Sequence, residues 1–181
     1  DINMGCPDRS VEKQCAGAAM IKDPKLAREM IRAAKESGLP VSVKTRIGYN
    51  TNEMETWLPE LLAEDIAVLT VHLRTRKEMS AVPAHWEHVA HAVKIRNNVQ
   101  RAVMTAGKPY TLIFGNGDVT DLIDAENKAK ETGCDGVMLG RAIFGNPWLF
   151  RRELKREDIS ITERLKVLVE HTKLFEELLP H

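Results

Sequence analysis

Short apolar runs rich in β-branched residues alternate with amphipathic stretches from Asp1 to Gly140. The period therefore switches repeatedly between two and 3.6 residues, the signature of βα units carrying a parallel sheet. The runs predict strands at Asp1–Met4, Val41–Lys44, Ala67–His72, Tyr110–Gly115 and Gly136–Gly140. Helices are predicted near Pro24–Ser37, Glu53–Glu64, Ala84–Asn97 and Asp121–Thr132. Val68-Leu69-Thr70-Val71 and Leu112-Ile113-Phe114 are nearly continuous in apolar character, as strands covered on both faces are. Gly38 and Gly133 stand where helix C-caps are expected, each just before a strand.

Beyond Gly140 the pattern changes. A charged connector, Arg151 to Asp158, leads into a helical stretch, Glu163 to Leu179, with apolar positions at Leu165, Leu168, Val169, Leu174, Phe175 and Leu178. This reads as two domains: a βα domain over residues 1–150, and the connector and first helix of a helical domain over residues 151–181.

Periodicity alone does not separate an open doubly wound sheet from a barrel. The polar residues favour the barrel, because every strand ends in a distinctive cluster: Asn3/Cys6, Lys44/Arg46, His72/Arg74, Asn116/Asp118 and Gly140/Arg141. A ring of strand ends that each donate a functional group is what a TIM (β/α)₈ barrel offers at its C-terminal face. At roughly 30 residues per unit, five units make a partial barrel, the last five of eight, with about 90 residues expected upstream.

Composition narrows the class without naming a ligand. An apolar share of 43% with 29% charged residues is that of a globular domain. Lys and Arg number 26 against 26 Asp and Glu, so no global charge draws the chain to a polyanion. Basic clusters at Lys22, Lys25, Arg28, Arg32 and Lys35, and at Arg151, Arg152, Lys155 and Arg156, are interleaved with acids and are compatible with phosphate-backbone contacts without requiring them. Cys6, Cys15 and Cys134 form no CxxC pair, which argues against a disulfide framework and against structural zinc. No metal is expected, and no membrane partner, since no apolar run reaches the roughly 20 residues of a membrane span. A reducing cytoplasm is the expected compartment.

The strand-end residues suggest chemistry. Gly115-Asn116-Gly117-Asp118 and Gly140-Arg141 end the last two strands, where barrels bind phosphate through glycine backbone N–H groups. Arg141 would add a charge-assisted contact. Lys44 and Arg46, two residues apart, share a face, and a buried lysine there needs an electron-rich partner such as a carbonyl or a reduced flavin. His72 follows an apolar run, and alone such a histidine is more often a hydrogen-bonded core residue than a catalyst. Cys6 reads either as a general acid, since an unperturbed thiol is mostly protonated at neutral pH, or as a small buried hydrophobe.

Taken in order, the motifs resemble the tRNA-dihydrouridine synthases. They are Asp1-Ile2-Asn3-Met4-Gly5-Cys6-Pro7 with Gly17-Ala18-Ala19, Val43-Lys44-Thr45-Arg46, Val71-His72-Leu73-Arg74-Thr75-Arg76, Gly115-Asn116-Gly117-Asp118-Val119, Met138-Leu139-Gly140-Arg141-Ala142 and Gly145-Asn146-Pro147-Trp148. The resemblance implies an FMN-binding barrel followed by a helical domain that grips tRNA. By position it makes Cys6 the general acid and matches Lys44, His72, Asn116, Gly117, Asp118, Gly140 and Arg141 to flavin contacts. Asn3 and Arg46 match positions near the target base. The implied reaction uses NADPH to reduce FMN, delivers hydride from the flavin to uracil C6, and protonates C5 from Cys6, with the base turned out of the tRNA onto the flavin.

Three positions depart from the family pattern: Leu73 stands where glycine is usual, and Ser80 and Val82 where tyrosine and glycine are usual. Two alternatives stand beside the synthase: a flavin barrel oxidoreductase acting on a free pyrimidine or other small metabolite, and a non-catalytic remnant. As a fragment alone, the chain is expected to be inactive.

Overall fold

A computed structural model describes residues 1–107, 109–154 and 156–179. Lys155 of the second basic cluster lies outside them. The chain divides into two compact units, Asp1–Arg141 and Ala142–His181.

The first unit is α/β. Its strands are β1 (Ile2–Met4), β2 (Ser42–Arg46), β3 (Val68–His72), β4 (Leu112–Asn116) and β5 (Gly136–Met138). All five pair in parallel, in the order β1-β2-β3-β4-β5. Each strand lies beside its successor with no reversal, whereas a doubly wound sheet reverses at a switch point. The order is that of consecutive units in a barrel wall. All five predicted strands form, with boundaries moved by a few residues: β2 runs on to Arg46, and β5 stops at Met138.

The helices are α1 (Arg9–Glu12), α2 (Pro24–Lys35), α3 (Met54–Leu62), α4 (Val89–Val99), α5 (Arg101–Thr105) and α6 (Leu122–Thr132). Capping explains where two of them start. Asp23 accepts from the N–H of Leu26 ahead of Pro24, and Asp121 accepts from that of Asp124. Gly133 closes α6 in the left-handed region, with φ of 70°. α2 ends earlier than predicted, at Lys35, and Gly38 completes a further turn by donating to the Lys35 carbonyl. The short α1 and α5 were not predicted, because four or five residues carry too little periodicity to register.

Val43, Leu69, Val71 and Ile113 are buried against Trp57, Leu58, Leu61, Val89 and Ala92 of α3 and α4. Thr45 joins that layer, its hydroxyl accepting from Trp57 Nε1 at 2.9 Å. Alternation then sends Lys44, Arg46, Thr70, His72 and Asn116 to the opposite face. Ile113 of β4 is buried on the helix side, and Leu112 is 38% exposed on the opposite, inner face.

The first basic cluster is largely consumed in internal pairs. Glu64, buried at the end of α3, accepts from Arg28 Nε at 2.6 Å and from Arg32 at 2.8 Å, and Lys35 donates to the Glu64 carbonyl. These bonds fasten α2 to α3 and leave little of that cluster free for a polyanion.

In the second unit, α7 (Ile161–Leu178) starts from a Ser160 cap that accepts from Glu163 N–H. Ile161, Leu165, Leu168, Val169, Leu174, Phe175 and Leu178 along it are exposed. Among the described residues no helix is long and apolar enough to cross a membrane, and no group of three or more His, Cys, Asp or Glu is placed to hold a metal.

Candidate active site

Parallel register brings the ends of the strands level. Arg46 is opposite His72, His72 opposite Asn116, and Asn116 opposite Met138, so four consecutive strands contribute one row at the C-terminal edge. At this edge lies a cavity of about 280 Å³ lined by Lys44, His72, Asn116, Gly117, Asp118, Gly140 and Arg141, together with Arg74, Val119 and Met138. All seven residues singled out for flavin contact therefore border one space. Asn3, Cys6 and Arg46 are not among its lining residues.

The charges around this space are arranged by Arg74, a buried residue just beyond β3. Its Nε donates to the Val82 carbonyl at 2.5 Å, its Nη1 contacts His72 Nε2 at 3.1 Å, and its Nη2 is paired with Asp118 Oδ2. Asp118 also accepts from Ala84 N–H at 2.8 Å and from Arg141 Nη2 at 3.1 Å. The hydrogen bond from Arg74 holds the Asp118 carboxyl below the usual range. Burial first, then Arg46, Lys44 and Arg74, push His72 down to about 3, so the imidazole is neutral. Lys44 is also pushed down, by burial and then by Arg46. Among the described residues Lys44 Nζ has no hydrogen-bond or ion-pair partner. A half-buried ammonium without a partner is suited to an electron-rich group placed in the cavity.

The Cys6 loop is held from several sides. Asn3 Oδ1 accepts from the N–H groups of Gly5 and Cys6, both at 3.0 Å, which makes the turn that presents the thiol. Arg46 is buried and donates from Nε to the Gly5 carbonyl at 2.7 Å and from Nη1 to the carbonyls of Thr75 and Met79. Gly17, at φ of 60°, lies under Cys6; a Cβ there would sit 2.7 Å from the Cys6 carbonyl oxygen. Ala18 N–H donates to that same oxygen at 2.9 Å. The Cys6 thiol is half-buried, and a charge on it acts on both Lys44 and Arg46. Glu12 of α1 pairs with Arg76, whose guanidinium also lies over the Tyr49 ring, so the loops after β1, β2 and β3 are joined.

Against known proteins, the family model for dihydrouridine synthases matches residues 1–181. The chain belongs to the dihydrouridine synthase family. A Bacillus subtilis (strain 168) protein named probable tRNA-dihydrouridine synthase 2 is 45% identical over 178 residues, covering 98% of this chain and 52% of that protein. Probable tRNA-dihydrouridine synthases of Staphylococcus epidermidis RP62A and Staphylococcus aureus Mu50 are 44% and 45% identical, over 97% of this chain and 51% of theirs. The chain thus spans about half the length of the curated relatives it matches.

In this member of the dihydrouridine synthase family, three features of the site went unassigned in the sequence. Arg74 was seen as part of a strand-end cluster, but its contacts with His72, Asp118 and Val82 are tertiary and leave no local signal. Trp86, whose Nε1 donates to the Gly117 carbonyl at 2.8 Å, braces the loop after β4 from a distant position. Met138 adds an apolar wall, its carbonyl accepting from Asn116 Nδ2 at 2.8 Å. The three departures from the family pattern fall into place differently: Leu73 is fully buried in the core, Ser80 is exposed, and Val82 supplies the carbonyl that receives Arg74.

Proposed function

We propose that this chain forms part of an FMN-dependent enzyme that reduces uridine to 5,6-dihydrouridine in tRNA with NADPH as reductant. The observation that carries this reading is the convergence of Lys44, His72, Asn116, Gly117, Asp118, Gly140 and Arg141 on one cavity at the C-terminal edge of a parallel sheet. In the complete protein the sheet belongs to a (β/α)₈ barrel, residues 1–150 supply its C-terminal part, and residues 151–181 begin a helical domain that meets tRNA. The setting is the cytoplasm.

The lining fits a flavin nucleotide. Lys44 offers an unpartnered ammonium to an electron-rich ring. Open space surrounds Gly140, and Arg141, held at one side by Asp118, is suited to an anionic phosphate. FMN held by these residues and reduced by NADPH would supply a hydride for uracil C6.

The other half of the reduction is a proton at C5, and Cys6 supplies it from its thiol. The Asn3 turn and the Arg46 bond to Gly5 fix the backbone on which that thiol is carried. Arg46 and the exposed Asn3 amide stand beside Cys6, where the extruded base lies. Giving its proton to C5 leaves Cys6 as a thiolate, to be reprotonated from water.

Nucleoside analysis of tRNA from a strain lacking the complete gene tests this reading. Loss of dihydrouridine at one or more positions is expected. Unchanged dihydrouridine, with turnover of free uracil by the complete protein, would replace it with a small-molecule reductase.

A further inference from the structure

We propose that Arg74 is a positioning residue that fixes His72 as a neutral imidazole carrying its proton on Nδ1, so that His72 serves the cavity as a hydrogen-bond donor and takes no part in proton transfer. Arginine has five N–H donors and no acceptor. The 3.1 Å contact between Arg74 Nη1 and His72 Nε2 therefore has one sense: the guanidinium donates and the ring nitrogen accepts. Accepting at Nε2 places the single proton of a neutral imidazole on Nδ1.

Arg74 is itself immobilised. Its side chain is 3% exposed, and the Val82 carbonyl and the Asp118 carboxylate take two more of its donors. The fork is thus aimed at His72 by partners on both sides, as a lysine's single ammonium would not be. The charged groups facing His72 all discourage a second proton except one. Lys44 and Arg46 come from β2 and Arg74 from the segment after β3, while Asp118 from the loop after β4 is already engaged by Arg74 and Arg141.

Two chemical consequences follow. With Nε2 taken by Arg74, Nδ1–H is the hydrogen bond His72 has left to give, so together with Lys44 it disposes the lining toward a bound group presenting carbonyl or anionic oxygen. His72 also has neither a free acceptor nitrogen nor a labile second proton, so proton delivery at this site falls to another group. The first consequence rests on the flavin reading given above; the tautomer itself does not.

Two-bond ¹H–¹⁵N correlation of histidine-labelled full-length protein, with His72→Gln assigning the signal, tests the inference. His72 is expected to show a protonated Nδ1 and a bare Nε2, unchanged from about pH 8 down to about pH 5. Arg74→Met should release the ring, moving the proton toward Nε2, while burial, Arg46 and Lys44 still hold the His72 midpoint well below 6.5. Arg74→Lys should keep the low midpoint but lose the exclusive Nδ1–H form. Wild-type His72 protonated on Nε2, or an unchanged His72 signal in a folded Arg74→Met protein, overturns the inference. If Arg74→Met does not fold, the wild-type tautomer decides alone. FMN titration followed by flavin fluorescence separates the two readings: a correct tautomer without FMN binding removes the flavin and leaves Arg74's role intact.

Discussion

Arg46 Nε donates to the Gly5 carbonyl at 2.7 Å, so the end of β2 holds the turn from which Cys6 projects. The same guanidinium reaches the carbonyls of Thr75 and Met79 in the loop after β3. One buried cation thereby joins three consecutive strand ends through main-chain acceptors rather than through a carboxylate. Arg46→Met should leave these acceptors without their charged donor and lower stability by about 3 kcal/mol in urea denaturation. Arg46→Lys should recover only part of that, because an ammonium cannot span the same three carbonyls. A loss below about 0.5 kcal/mol for Arg46→Met would show that the guanidinium is not what holds the loops.

Gly115 lies under the indole of Trp86: a Cβ at that position would be 2.7 Å from Trp86 Cη2 and Cζ3. Gly115→Ala should therefore cost about 1–3 kcal/mol by overpacking. Shortening the ring in Gly115→Ala/Trp86→Phe should make the double variant less costly than the sum of the two single changes. Simple additivity in a thermal or chemical melt would mean that the two residues do not meet.

Stability should fall with acid in a window set partly by His72. The unfolded chain takes up a proton near 6.5, whereas the folded chain refuses it until about 3. Between those values the unfolded state binds more protons, so the contribution of His72 is fully present above 6.5 and is lost as pH falls toward 3. His72→Gln removes this term and should shift the acid-unfolding midpoint to lower pH. His85 acts with the opposite sign, because its hydrogen bond to Glu78 raises its pKa, so its contribution is present below 6.5 and lost as pH rises through the folded value. An unmoved acid midpoint in His72→Gln would mean that the ring is not held neutral.

The sheet and its order of units were legible because Val43, Leu69, Val71 and Ile113 follow the period of strands covered by helices, and because Gly133 and the Asp121 cap mark α6 clearly. Leu112 and Phe114 also read as apolar strand positions; they lie on the inner face, whose packing is a property of the neighbouring parts of the sheet and not of the strand. At the site, Lys44, His72, Asn116, Gly117, Asp118, Gly140 and Arg141 were found through strand-end position and motif resemblance, and they border one cavity. The residue that organises their charges, Arg74, was seen only as a neighbour of His72. Its partners lie eight and 44 residues away in the chain at Val82 and Asp118, a separation that no local pattern reports.

That this cavity holds FMN and that Cys6 protonates the base is tested most directly by dihydrouridine formation by the full-length protein and its Cys6→Ala variant, each with NADPH and unmodified tRNA, with FMN content measured in the same samples. Both should bind FMN, and Cys6→Ala should form dihydrouridine about 10²-fold more slowly or worse. Equal rates for the two proteins, or no dihydrouridine from an FMN-loaded wild type, would contradict it.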